Sequence, residues 1–269
     1  IMDILTHALS GTAVATCAAT YVGATPLRKA KIILIGTVGG AFPDIDAISM
    51  WSRFDSIFGR LFDLSHTGKV IYGSKFWYSH HAFFHSIIAS ILFGILLVSS
   101  IFLFQKVFSK KQIVLPSLCK SHLVYLAVFI LAAWAHLAGD LPTPSSVWGG
   151  IAMFWPSADY AGGSGKIWWW NNYDIFLLIV GSIIINLTIP AIFKKVREKS
   201  RLFTTTILSI TLALILIQVN TRQFDYAYEG NTSKYAEMEL NSKKEQQRIL
   251  GKHLYRYMEH FDGMLKFYF

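Results

Sequence analysis

The chain has 269 residues, of which 53% are hydrophobic and only 15% charged. A soluble domain of this length needs more charge than that to cover its surface, so the composition excludes an ordinary cytosolic enzyme and points into a membrane. The basic excess, 25 Lys and Arg against 16 Asp and Glu, lies in short clusters between apolar runs, the pattern that sets membrane topology; no nucleic-acid partner is expected.

Six candidate spans follow along the chain, at about 4–24, 31–50, 82–104, 122–141, 174–193 and 202–220. Residues 4–22 end in small residues, as a signal peptide does, but the preceding Asp3 is acidic where a signal peptide is basic. The first two spans are rich in Ala, Thr and Gly, which suits close packing inside a bundle. The connection after the first carries Arg28, Lys29 and Lys31. That after the third carries Lys106, Lys110, Lys111 and Lys120, and that after the fifth reads KKVREKSR from Lys194. Positive charge marks these three as cytoplasmic and places both termini and the second and fourth connections outside. The aromatic run WWWNNY (168–173) fits an outer interfacial belt or, alternatively, a substrate wall. Cys17 and Cys119 have neither disulfide nor metal spacing.

The fold class expected is therefore all-α, a polytopic helical bundle over 1–220 with an extracytoplasmic tail at 221–269. In that tail Leu250, Leu254, Tyr257, Met258, Phe261 and Leu265 recur at helical spacing, a stripe that predicts an amphipathic capping helix.

Ionisable residues then fall at one membrane face. His7 opens the first span, Asp44 and Asp46 in FPDID close the second, His80, His81 and His85 open the third, and His136 and Asp140 close the fourth. His136 and Asp140 are four apart and share one helix face, and His81 and His85 have the same relation. Pro43 loosens the helix beside the two carboxylates. Imidazole and carboxylate together form a Zn²⁺-type ligand set, with Mn²⁺ or Fe²⁺ as competitors, and eight candidates exceed the four donors of one tetrahedral zinc. One to three ions are expected. Ionisable groups within a span are costly unless paired or functional. His66, His122, His253 and His260 are read as interfacial residues without chemistry.

The segments MDILTHALSG, FPDID, HHAFFHS and AHLAGDLPTPSSVWGGIAMFWP resemble the bacterial membrane-bound metal-dependent hydrolases of the YdjM-like type, over roughly residues 2–156. The family pattern runs MDxxTH, PDxD, HRGxTHS and HxxxDxxT. His80 and His85 occupy its histidine positions, and His81 stands where the family has Arg. Motif spacing thus favours His80 as a ligand and helix spacing favours His81. The resemblance implies an α-helical, multi-metal hydrolase similar to zinc-dependent phospholipase C, and it places Thr143 after Asp140 as a residue orienting a ligand; Ser86 is a second candidate for that role. In a bacterium, the outer face is the extracytoplasmic side of the inner membrane.

The activity expected is hydrolysis of a phosphoester in a lipid or lipid-linked substrate, with water activated by the metals and Asp44 or Asp46 acting as general base. A zinc amidase or esterase cutting an acyl chain is the rival within enzymes, and a metal or proton transporter the rival outside them. No HExxH or GxSxG motif is present, and no obligate protein partner is evident.

Overall fold

A computed structural model describes residues 2–22, 25–108 and 115–265; side chains are described from residue 4 in the first segment and from residue 122 in the third. The described chain is helical, with three isolated β-bridges in the connections. Helix α1 (Met2–Tyr21) lies at the centre, against α2 (Pro26–Ala41), α5 (Leu115–Asp140), α6 (Tyr173–Ile192) and α8 (Ser200–Asn220). Two short helices, α3 (Gly68–Tyr72) and α7 (Lys194–Glu198), sit in connections, and α4 (Ile87–Phe108) packs on α5.

Local chemistry explains where these helices start and stop. Thr25 caps α2 by accepting the Arg28 N–H, with Pro26 as its first residue. Ser86 caps α4 by accepting the Ala89 N–H. Pro43 ends α2, and the chain bends by 52° into a 3₁₀ helix, Pro43–Met50. Pro142 follows α5 closely, and the Thr143 hydroxyl donates to the Asp140 carbonyl at its end.

Six spans are not confirmed. Among the described residues, four stretches are long and apolar enough to cross a membrane (α4, residues 122–140 of α5, α6 and α8), and five if the bent α2 pair is one span. Helix α1 is not among them, because its apolar residues are diluted by Thr, Ser and Gly. Those small residues serve packing and polar contacts between helices. Thr12 meets Thr37 at 2.7 Å, Thr20 meets Thr204 at 3.1 Å, and Asn186 donates to Thr16. Such bonds are worth about 0.6 kcal/mol each in membrane bundles. Gly40 shows how close the helices come: a Cβ there would fall against the His7 carbonyl oxygen. The third span also begins later than expected, at Ile87 rather than residue 82, because Ser86 is its cap.

The tail forms α9 (Tyr235–Met264), interrupted at Gly251, whose φ of 73° is open to glycine. Met258, Leu250 and Leu265 join Tyr255 against Tyr173 and Phe176 of α6, while Leu254 and Tyr257 of the expected stripe face outward. Asp174 on α6 is buried with Arg222 at 3.0 Å and accepts from Gln246 of α9, so the tail is pinned to the bundle by a charged network. Trp168 and Trp169 are buried beneath Tyr226 and Trp148 rather than forming an exposed interfacial belt. Residues 225–235 cover them, with Tyr235 edge-on to Trp168.

Candidate metal centre

All eight candidate residues meet at one end of the bundle. The bend at Pro43 turns Asp44 and Asp46 inward, the end of α5 supplies His136 and Asp140, α1 supplies His7, and the turn before α4 supplies His80, His81 and His85. His136 and Asp140 lie 3.1 Å apart, as their spacing on a helix predicts. His81 and His85 do not share a helix: the chain there is irregular, with His81 at φ 62° and a 3₁₀ turn at Phe83–His85. Both His80 and His81 reach the cluster all the same, their rings 4.2 Å apart. A left-handed backbone is uncommon outside glycine and is found where a site requires it.

The imidazoles are oriented from behind. Asp46 accepts from His80 Nδ1 at 2.7 Å and from His85 Nδ1 at 3.1 Å, so each carboxylate oxygen holds one ring. The Gly40 carbonyl faces His136 Nδ1 at 2.7 Å, and the Gly150 carbonyl faces His81 Nδ1 at 3.2 Å. A carbonyl oxygen only accepts, so these two nitrogens carry a proton, and Nε2 is the atom that each ring, when neutral, offers as a bare nitrogen. Gly150 lies at φ 109°, where a side chain would collide with Ala161. Tyr72 stacks on His80, and Trp148 packs beside both His80 and His81.

What the bare nitrogens face is the informative point. His136 Nε2 lies 3.6 Å from Asp44 Oδ1 and 3.1 Å from Asp140 Oδ2, and His85 Nε2 lies 3.7 Å from the same two oxygens. Asp140 reaches His7 Nε2 with its other oxygen at 3.2 Å. His85 Nε2, His136 Nε2, Asp44 Oδ2 and Asp140 Oδ2 are all buried with no hydrogen-bond partner among the described residues. Lone pairs turned on one another in a buried space call for a positive charge between them. Without an ion, the carboxylates draw a proton to His85 instead: burial would lower its pKa, but Asp46, then Asp44 and Asp140, push it up to about 10, so a proton on His85 stands in for the positive charge. His81 goes the other way, well below the usual range, through burial and the neighbouring His80 and His85.

Among the described residues, three groups have donor atoms within 4.8 Å of one another: His80, His81 and His85; His7, Asp44 and His136; and His85, His136 and Asp140. His85 and His136 each belong to two of them, so the groups are contiguous. The orphaned donors and their chemistry fit a divalent cation bound by nitrogen and oxygen. The Thr143 hydroxyl fixes the end of α5 through the Asp140 backbone, and Ser86 caps α4. Sequence reasoning passed over the Gly40 and Gly150 carbonyls, because a backbone acceptor leaves no mark in residue type.

Several helices long and apolar enough to cross a membrane, around a buried His/Asp centre that could hold a metal ion, define a helical membrane protein. The family model of the YdjM inner membrane protein matches residues 2–224, and the chain belongs to that family. No curated protein and no solved structure matches it.

Proposed function

We propose that the protein is a metal-dependent hydrolase that cleaves a phosphoester bond of a lipid or lipid-linked substrate at the extracytoplasmic face of the inner membrane. The observation that carries this reading is the set of buried, partnerless acceptors on His85, His136, Asp44 and Asp140. Such an arrangement is costly unless an ion fills it.

His7, His80 or His81, His85, His136, Asp140 and Asp44 would hold the metal, zinc being the ion that suits the donor set best. A divalent cation supplies Lewis acidity to water and to a phosphoryl oxygen. Asp46 keeps two imidazoles in the tautomer that exposes Nε2, and carboxylates in that position raise the basicity of the ring. Asp44 has one oxygen toward the histidines and the other without a partner, which suits it to accept the proton of an attacking water. Tyr72, Trp148 and Trp169 wall the histidines on one side and keep bulk water out. The orientation rests on charge. Arg201, in the basic run after α6, lies 5.8 Å over the ring of Tyr21 at the opposite end of α1 from His7, which supports placing that end on the cytoplasmic side.

The test is an assay of the purified, zinc-supplemented protein in nonionic detergent against phospholipids, prenyl phosphates and acyl esters, with His136→Ala/Asp140→Ala as control. Release of a phosphorylated headgroup or of phosphate by the wild type alone supports the reading. Cleavage confined to acyl esters moves the chemistry to carbonyl carbon. Activity unchanged in the variant, or none with a metal-loaded wild type, contradicts the reading.

A further inference from the structure

Beside the metal cluster lies a second feature that the histidines and aspartates leave unexplained. A cavity of about 790 Å³ opens between α1, α5, α6 and α8, within the range of small-molecule sites. Its walls are mostly aliphatic, with Val14, Leu131, Ile179, Leu212 and Ile215 among them. From Val219 to Leu208 the lining follows α8 for about 16 Å, at 1.5 Å per residue.

One end of this cavity is polar and chemically specific. His7 lines it, and His7 is also 3.2 Å from Asp140, so cavity and metal cluster share a wall. Lys166 lines the same end, is exposed, and forms no ion pair with any described residue. Asn171 is only 4% exposed, lies at φ 65°, and lines the cavity too. The Tyr173 hydroxyl lies 3.3 Å from the Asn171 Oδ1 and 3.1 Å from Asp262 Oδ2, with one proton for the two, while the Asn171 Nδ2 has no partner among the described residues. Whichever way the amide is turned, one end is left buried and unsatisfied, a cost that a ligand group would remove.

We infer that this cavity is a chamber for one hydrocarbon chain of the substrate, with the anionic head held at its mouth by Lys166 and Asn171 and directed toward His7. This rests on the hydrolase reading for its purpose but not for its test. The apolar length selects a single long chain, and the lone cation selects a phosphate-bearing head over a neutral or cationic one. The substrate class is thus a phosphorylated amphiphile whose chain enters between the helices.

Native mass spectrometry of the full chain in nonionic detergent tests this with three probes: hexadecyl phosphate, hexadecanol and inorganic phosphate. Hexadecyl phosphate should bind with one molecule retained, more tightly than either of the others. Ile179→Trp fills the chamber and should weaken that binding about tenfold or more, the scale of ~1.4 kcal/mol, with metal content unchanged. Lys166→Ala, an exposed change that leaves the fold alone, should cost about fivefold on hexadecyl phosphate and nothing on hexadecanol. Binding of hexadecyl phosphate and hexadecanol with equal affinity, or a Lys166→Ala protein with undiminished preference for the phosphate, overturns the proposal. So does an Ile179→Trp protein that keeps its metal and binds as the wild type; if that variant loses its metal, Lys166→Ala decides. Chain binding with these dependencies but no hydrolysis leaves the chamber standing and removes the hydrolase reading. Hydrolysis indifferent to chain and to Lys166 does the reverse.

Discussion

Asp46 is held at both oxygens, by His80 Nδ1 at 2.7 Å and by His85 Nδ1 at 3.1 Å, whereas Asp44 keeps one oxygen without a partner. Two carboxylates one residue apart therefore carry different chemistry: Asp46 positions imidazoles, and Asp44 faces the space between them. Asp46→Asn leaves the shape but can accept on only one of its two atoms, so one imidazole loses its partner. Metal affinity should fall about 10- to 100-fold, measured by competition with a chromophoric chelator; an unchanged affinity would deny Asp46 the positioning role. That role was not legible in FPDID, because it depends on where residues 80 and 85 stand in space. His136 and Asp140 were legible, since four residues on an unbroken helix fix their separation. The pairing of His81 with His85 was misread for a local reason: Ser86 caps α4, so the preceding residues are free to form an irregular turn that brings in His80 as well.

At the scale of elements, the seam between α1 and α2 positions the centre. Gly40 lies against the His7 backbone, and its own carbonyl takes the His136 Nδ1 proton. Gly40→Val should destabilise the protein by about 1–3 kcal/mol through overpacking and lower metal content with it, as His7 and His136 separate. Thermal unfolding with elemental analysis of the same samples checks both, and a full metal complement in a destabilised protein would uncouple seam from site. Composition signalled a close seam through its glycines, and the count of six spans rests on including α1, which is not apolar enough to be recognised by length and composition alone. A helix such as α1, satisfied by threonine contacts to its neighbours, does not need the apolarity by which spans are recognised.

Across the whole molecule, α9 is tied to the bundle by Gln246, which donates to Asp174, the same buried carboxylate that pairs with Arg222 just after α8. Asp174→Ala should cost about 3–5 kcal/mol, because Arg222 is left charged and buried. Protease sensitivity of residues 235–264 should rise with it, as limited proteolysis would record; an equally resistant tail would show that its apolar contacts to Tyr173 and Phe176 suffice. The amphipathic stripe announced this helix, yet it could not show the burial of Trp168 and Trp169, which the returning chain at residues 225–235 creates. The family match ends at residue 224, short of α9. It includes every residue of the His/Asp centre.

That centre is the claim on which the rest depends, and elemental analysis measures it directly. The protein, purified without chelators, should carry roughly one to three equivalents of zinc or a similar divalent metal, the number its contiguous donor groups can hold. The His136→Ala/Asp140→Ala protein, folded by circular dichroism, should carry at least one equivalent less. A wild type that holds no metal and takes up none when it is offered would contradict the account, and the buried acceptors would then have to be satisfied by protons alone.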